Sequence, residues 1–141
     1  MKSDIDNLMQ QRNLNAFLVL GNAESSPPMT YLTGGGHVTA ATLLKKQGEP
    51  AVLFCNPMER DEAAKSGLKI RLYNEFPWQD LLTEANGDGN LAVAIRLSKI
   101  FLEMGVAGRV GVYGHTDLSS GLAVLQLLKE IMPSVEFIGE S

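Results

Sequence analysis

The sequence predicts an α/β domain in which a mixed sheet contains one antiparallel hairpin and carries helices on both faces. Three observations predict it. Short apolar runs alternate with segments of helical periodicity, one four-residue polar connection joins two of the runs, and glycine or proline ends most of the segments. Alternating strands and helices are typical of covered sheets, whereas a short connection between strands requires an antiparallel pair. The length of 141 residues suits one domain over residues 1–141.

The first elements are a predicted helix and a predicted buried strand. Ile5, Leu8 and Met9 recur at helical spacing and should form the apolar stripe of the helix. Residues 16–20 follow as an apolar run without polar alternation, which is typical of a central strand covered on both faces.

A hairpin and a capped helix come next. Strands are predicted over residues 38–46 and 51–54, and the turn residues 47–50 between them make the pair antiparallel. Asn56 is predicted to cap the following helix, and Pro57 suits its first position.

The middle of the chain continues the alternation. Gly67 is predicted to end the capped helix in a left-handed conformation, and the alternation over residues 68–73 predicts a half-covered edge strand. Helices are predicted over residues 78–85 and 91–104, with Asn90 as the cap of the second. Six apolar side chains should bury much of that second helix: Leu91, Ala94, Ile95, Leu97, Phe101 and Leu102.

The last elements are two strands that flank a helix. Gly105 is predicted to end the preceding helix, residues 109–113 form a strand, and Asp117 caps a helix that runs to Met132. A final strand is predicted over residues 135–138. The leucines of the last helix are predicted to stack toward the sheet: Leu118, Leu122, Leu125 and Leu128.

Composition narrows the class of protein. Apolar residues make up 45% of the chain, which is typical of a folded domain and not of a disordered one. The net charge of −4 with scattered lysine and arginine argues against a nucleic-acid partner. No apolar run reaches the roughly 20 residues that span a bilayer, and the N-terminus lacks a signal-peptide pattern. The single cysteine favours a cytoplasmic location.

Catalytic chemistry is hard to find in the residues. His37 and His115 lie in no metal-binding pattern, so no metal ligand is predicted. The acidic cluster Glu59, Asp61 and Glu62 lies in the first turns of a predicted helix, where the helix dipole favours negative charge. Glycine-rich phosphate loops are absent as motifs. We therefore predict no catalytic residue in this chain.

Three side chains are candidates for contact with a ligand or partner. Residues 34–36 are consecutive glycines, and their neighbours Tyr31 and His37 lie in a predicted loop. Trp78 is the only tryptophan and follows a predicted turn. Its side chain either covers the edge of the sheet or serves as a binding anchor.

The ordered motifs resemble the N-terminal domain of the creatinase/prolidase/Xaa-Pro aminopeptidase family of metallopeptidases. The most specific part is Tyr31-Leu32-Thr33-Gly34 after the first strand, and the segment from Asn56 to Ala63 follows the hairpin in the expected order. The resemblance covers essentially the whole chain, and it implies a ribonuclease H-like fold for this domain.

The resemblance also implies what the chain would belong to. Family members carry a C-terminal pita-bread catalytic domain that holds a pair of divalent metal ions (Mn, Co or Zn) and cleaves bonds to proline. None of those ligand motifs matches this sequence, so we expect one domain of a longer enzyme, or else a stand-alone relative. The implied role is a non-catalytic lid and dimerisation module, whose partners are its own catalytic domain, a second subunit and a proline-containing peptide. Tyr31, His37 and Trp78 are the candidates for the lid contact.

Two other classes of function stay open at this point. One is a stand-alone small-ligand or regulatory binding module of flavodoxin-like type, although the hairpin argues against that arrangement. The other is a small enzyme that uses Cys55 or His115.

Overall fold

The computed structural model describes residues 3–21, 41–114 and 117–139. The helices in this part of the chain are α1 (Ser3–Gln11), α2 (Arg60–Ala64), α3 (Trp78–Glu84), α4 (Gly89–Met104) and α5 (Leu118–Ile131). The strands are β1 (Ala16–Gly21), β2 (Ala41–Lys46), β3 (Val52–Cys55), β4 (Lys69–Leu72), β5 (Gly108–Gly114) and β6 (Val135–Gly139). Short 3₁₀ turns precede α2 and follow β4, at Pro57–Glu59 and Tyr73–Glu75. The predicted elements are all present, except that residues 38–40 of the second predicted strand lie outside the described ranges.

The six strands form one mixed sheet in the order β4-β3-β2-β1-β5-β6. β2 pairs antiparallel with β1 and with β3, while the pairs β1–β5, β3–β4 and β5–β6 are parallel. The predicted hairpin is therefore confirmed. An antiparallel strand inside the sheet is incompatible with the strictly alternating arrangement of a flavodoxin-like domain, so that alternative is wrong about the topology.

Helices cover both faces of the sheet, as predicted. Leu18 of β1 belongs to a core that includes Leu97 and Phe101 of α4 and Leu128 of α5. The preceding residue, Phe17, points the other way and belongs to a second core with Met9 of α1 and Ala63 of α2. α3 packs on the beginning of α4 through a smaller cluster of Leu81, Ala85 and Ala92. Within the described residues, no helix has the length and apolar character needed to cross a membrane.

Several predictions about burial are wrong at single residues. Leu8 of α1 is 51% exposed, Leu102 of α4 is 71% exposed, and Leu118 and Leu122 of α5 are 83% and 54% exposed. These leucines lie beside buried neighbours on their helices but outside the stripe that meets the sheet. Helical spacing limits which residues share a face, but the packing of the helix decides how wide the buried stripe is.

Two predicted caps are also wrong. The side chain of Asn56 forms no capping hydrogen bond, and the chain enters α2 through the 3₁₀ turn that begins at Pro57. α4 is capped two residues earlier than predicted, because Oδ1 of Asp88 accepts a hydrogen bond from the backbone N–H of Leu91 at 3.1 Å. Asp117 does cap α5, since its carboxylate accepts from the N–H of Ser120 at 3.0 Å.

Glycines end or reverse the chain where the sequence predicts it. Gly67 and Gly105 adopt positive φ values of 74° and 69°, which confirms both predicted left-handed helix stops. Gly114, at the end of β5, has φ of 116° and lies against the backbone of β1, where a Cβ atom would be 2.0 Å from the carbonyl oxygen of Leu20. Only glycine fits that close approach.

Candidate functional site

The carboxyl ends of β1, β3, β4, β5 and β6 meet at one edge of the sheet, which we call the carboxyl edge. β2 begins there because it runs in the opposite direction: its first residue, Ala41, is the register partner of both Gly21 and Cys55. Ligand sites of α/β sheets lie outside the carboxyl ends of the strands, where loops from several elements converge. The carboxyl edge is therefore the candidate location of a binding site.

Two of the predicted candidates, Tyr31 and His37, lie outside the described residues, and so does His115. The segment that contains Tyr31 and His37 follows Gly21 and precedes Ala41. Those two flanking residues are paired with each other at the carboxyl edge. The roles of Tyr31 and His37 stay predictions.

Trp78, the third candidate, is the first residue of α3 and is described in full. The chain reaches it from β4 through the turn Tyr73–Glu75. Trp78 is 42% exposed, so it is not a core residue, but more than half of its surface is covered by other residues. The guanidinium carbon of Arg96 lies 5.9 Å from the centroid of its ring. Trp78 therefore combines an open face with a cationic neighbour.

Arg96, which sequence reasoning missed, lies in the middle of α4 and turns toward the same edge. Its guanidinium carbon is 4.0 Å from the ring centroid of Tyr73, a distance typical of a cation–π contact. The hydroxyl group of Tyr73 is hydrogen-bonded to Oγ1 of Thr42 at 2.7 Å, which fixes the ring. The signal in the sequence is that Arg96 is the single charged residue in the apolar stretch 91–98.

The electrostatics of this cluster are unusual for an arginine. Nε of Arg96 is buried and has no hydrogen-bond acceptor among the described residues. Burial lowers the pKa of Arg96 from its ordinary value, an effect opposed by the nearby Tyr73. The pKa of Tyr73 is raised, chiefly by burial, so the phenol stays neutral. A neutral ring therefore lies beside a guanidinium group that has no carboxylate partner in the described part of the chain.

Cys55 also lies at the carboxyl edge, at the end of β3, but it is fully buried. Burial raises the pKa of its thiol, and the negative charge of Glu59 raises it further. The thiolate is the reactive form of cysteine, and here it is disfavoured. The geometry gives no support to a small enzyme that uses Cys55.

Metal ligation can be tested on the same residues. Across residues 3–21, 41–114 and 117–139, no three His, Cys, Asp or Glu side chains are placed to hold a metal ion together. The acidic cluster lies in the first turns before and within α2, as predicted. The described residues therefore do not fit the metal pair that the resemblance implies.

Comparison with known proteins identifies the domain. The family model described as the Creatinase/Prolidase N-terminal domain matches residues 3–140. A search of curated protein sequences finds no match.

Solved structures share the fold at low sequence identity. An X-Pro aminopeptidase from Thermotoga maritima is 11% identical with a TM-score of 0.64, and the match covers 99% of this chain and 33% of that one. The Creatinase/Prolidase N-terminal domain of an X-PRO dipeptidase from Streptococcus pyogenes is 16% identical with a TM-score of 0.57, with coverage of 97% and 90%. The prolidase from Pyrococcus furiosus is 14% identical with a TM-score of 0.55, with coverage of 95% and 31%.

The likeness to these structures shows the fold, and the chain spans about a third of the length of the Thermotoga and Pyrococcus proteins. The family model matches nearly the whole sequence, including every described helix and strand. The chain belongs to the creatinase/prolidase N-terminal domain family.

Proposed function

We propose that this chain is the non-catalytic N-terminal domain of a metal-dependent Xaa-Pro peptidase. The observation that carries the proposal is the family match over residues 3–140. The partial coverage of the X-Pro aminopeptidase from Thermotoga maritima supports it, because this chain aligns with one third of that protein. In the proposal, a C-terminal catalytic domain follows and holds a pair of Mn, Co or Zn ions, with a proline-containing peptide as the substrate.

The proposed role of the domain is to form the homodimer and to restrict access to the active site. The carboxyl edge suits this role, since half-exposed Trp78 lies there and the segment with Tyr31 and His37 is anchored there at Gly21 and Ala41. Side chains on loops of a rigid scaffold can limit which substrates enter a neighbouring site. The buried thiol of Cys55 is compatible with the cytoplasmic location that we propose.

The first test is chemical. The purified 141-residue chain should release no amino acid from Xaa-Pro peptides, with or without added Mn²⁺, Co²⁺ or Zn²⁺. The coding sequence beyond residue 141 should contain the Asp, Asp, His, Glu and Glu ligands of the family. Hydrolysis by the isolated chain, or a stop codon directly after residue 141, would contradict the proposal.

The second test addresses access, in the full-length protein. Trp78→Ala should raise kcat/KM for a long Xaa-Pro peptide relative to a tripeptide, because a bulky side chain near the entrance is removed. Tyr31→Ala and His37→Ala should do the same. Leu102→Ala is the matched control, since Leu102 is a large exposed residue near the opposite end of α4. Equal ratios of kcat/KM for the two substrates in all four variants would contradict the lid role.

Sedimentation of the full-length protein tests dimerisation, and it should show a dimer.

A further inference from the structure

Among the described residues, the guanidinium group of Arg96 has aromatic neighbours but no counter-ion. Its guanidinium carbon lies over the ring of Tyr73, 4.0 Å from the centroid, and over the ring of Trp78, 5.9 Å from the centroid. Within the described part of the chain, Arg96 forms no ion pair and Nε has no acceptor. Buried polar groups are nearly always hydrogen-bonded, and a buried charge without a partner is costly. Among the described residues, the site therefore lacks the acceptor that its chemistry favours.

Another stacked arginine of the same domain shows what is missing. Arg71 lies over the ring of Phe54, with its guanidinium carbon 5.2 Å from the centroid. Its nitrogens donate to carboxylate oxygens of Glu75 at 2.5 Å and of Glu103 at 2.9 Å. Arg71 thus lies over a ring and is neutralised, whereas Arg96 lies closer to its ring and has no carboxylate partner among the described residues.

Stacking leaves the donors of Arg96 available. The N–H groups of a guanidinium lie in its plane, so an aromatic ring over the face does not compete for them. Arg96 is half-buried, so part of the residue reaches solvent. The ring of Tyr73 is fixed by its hydrogen bond to Thr42, and the guanidinium group lies over this fixed ring. A preorganised fork of donors loses little freedom when it meets a planar acceptor.

We propose that Arg96, with Tyr73 and Trp78, is a binding site for a single carboxylate group at the carboxyl edge. One planar cation matches one planar anion of unit charge through two parallel hydrogen bonds. No second arginine or lysine contacts this group among the described residues, so a doubly charged phosphate would be only half neutralised. The aromatic rings would pack on the carbon atoms next to the carboxylate.

This inference does not rest on the proposed function. The carboxylate can be the C-terminus of a peptide or the side chain of an aspartate or glutamate in a protein, and both offer the same acceptor. The site lies wholly on described residues, so it can be tested on the 141-residue chain.

The experiment uses two reporters that belong to the site. Trp78 is the only tryptophan, so its fluorescence reports this site alone. The Nε–Hε resonance of Arg96 in NMR spectra reports changes at the guanidinium group. Three blocked peptides serve as probes: acetyl-Gly-Gly with a free C-terminus, its C-terminal amide, and acetyl-Glu-Gly-amide. Inorganic phosphate is the fourth probe.

Both carboxylate probes should shift the two signals saturably, with Kd of about 1–10 mM. The amide should shift neither signal, and phosphate should bind more weakly than the carboxylates at equal ionic strength. Binding of only the free C-terminus identifies a peptide end as the source, and binding of only the glutamate probe identifies a side chain; either supports the site. An equal response to the amide, a stronger response to phosphate, or no saturable response to either carboxylate would overturn the proposal.

Variants connect the response to Arg96. Arg96→Gln should abolish the fluorescence response, and Arg96→Lys should weaken it at least fivefold, because a lysine cannot form the planar two-bond contact. Arg60→Gln is the matched control, since Arg60 is an exposed arginine at the same edge and should bind nothing specifically. If Arg96→Gln fails to fold, the shift of the Arg96 Nε–Hε resonance in the unsubstituted protein still decides. Unchanged affinity in a folded Arg96→Gln would also overturn the proposal.

Discussion

The ammonium group of Lys45 is buried in the domain and lies 2.5 Å from Oδ1 of Asp6. The same carboxylate oxygen accepts the backbone N–H of Gly48 at 2.9 Å, and Nζ of Lys45 also donates to the carbonyl oxygen of Lys46 at 3.1 Å. The ion pair therefore ties α1 to the end of β2 and to the hairpin turn. The side chain of Lys45 is 6% exposed, whereas that of Asp6 is 35% exposed.

The unequal burial of this pair predicts unequal effects of substitution. Asp6→Asn leaves a buried ammonium without its anion and should lower the free energy of unfolding by about 2 kcal/mol. Lys45→Met replaces the buried charge by an apolar chain and leaves Asp6 partly hydrated, so the loss should be smaller. Urea unfolding measures both, with Asp4→Asn, an exposed residue of the same helical turn, as the control. A larger loss in Lys45→Met than in Asp6→Asn would contradict the argument.

The same carboxylate predicts a dependence of stability on pH. The hydrogen bond from Lys45, followed by that from Gly48, lowers the pKa of Asp6 below its ordinary value of 3.8. A lowered pKa in the folded state stabilises the protein above the unfolded pKa, and this contribution is lost as the pH falls through the folded value. The difference in unfolding free energy between the natural protein and Asp6→Asn should thus be constant above about pH 5 and shrink below pH 4. A difference that grows on acidification would show that another group is responsible.

Two glycines with positive φ should differ sharply in their tolerance of alanine. At Gly114 a Cβ atom would lie 2.0 Å from a backbone oxygen of β1, which cannot move without breaking the sheet. At Gly48, with φ of 82°, nothing lies within 4 Å of the added atom. Gly48→Ala should cost about 1–2 kcal/mol from backbone strain alone, and Gly114→Ala should cost at least about 4 kcal/mol or prevent folding. Thermal unfolding of the two variants checks this, and equal midpoints would contradict it.

The cap of α4 gives a sharp comparison between neighbours. Asp88→Ala removes the acceptor for the N–H of Leu91 and should cost about 1 kcal/mol. Asn90→Ala, two residues later and inside the helix, should change the stability by less than about 0.5 kcal/mol. Chemical denaturation measures both values. The reverse order would show that Asn90 is the cap after all.

Cys55 should be inert in the folded protein. Its side chain is fully buried and its pKa is raised, so iodoacetamide should label it only when the chain opens. Labelling should accelerate at least tenfold in urea near the unfolding midpoint, in parallel with the loss of circular dichroism. Rapid labelling at pH 7 without denaturant would restore the possibility of a reactive thiol.

Local patterns in the sequence determined the order and kind of the elements. The hairpin follows from one short polar connection, and the stops at Gly67 and Gly105 follow from the left-handed conformation that glycine alone adopts freely. The cap formed by Asp117 depends only on local sequence, because its carboxylate accepts a hydrogen bond from the N–H of Ser120. The prediction for Asn56 was wrong, because asparagine is common in several kinds of turn. Here it precedes a 3₁₀ turn and its side chain forms no capping hydrogen bond.

Only the tertiary structure decided which distant residues meet. Arg96 and Tyr73 are 23 positions apart in sequence and Lys45 and Asp6 are 39, yet each pair is in contact. Strand order and register determine these contacts, and both depend on how all the helices pack on the sheet. The exposed Leu118 and Leu122 follow from the same cause, since periodicity aligns residues on a face but does not say how far the sheet extends beneath it. The sequence by itself thus determined the family and the order of the elements, while the contact of Arg96 with Tyr73 at the carboxyl edge came from packing.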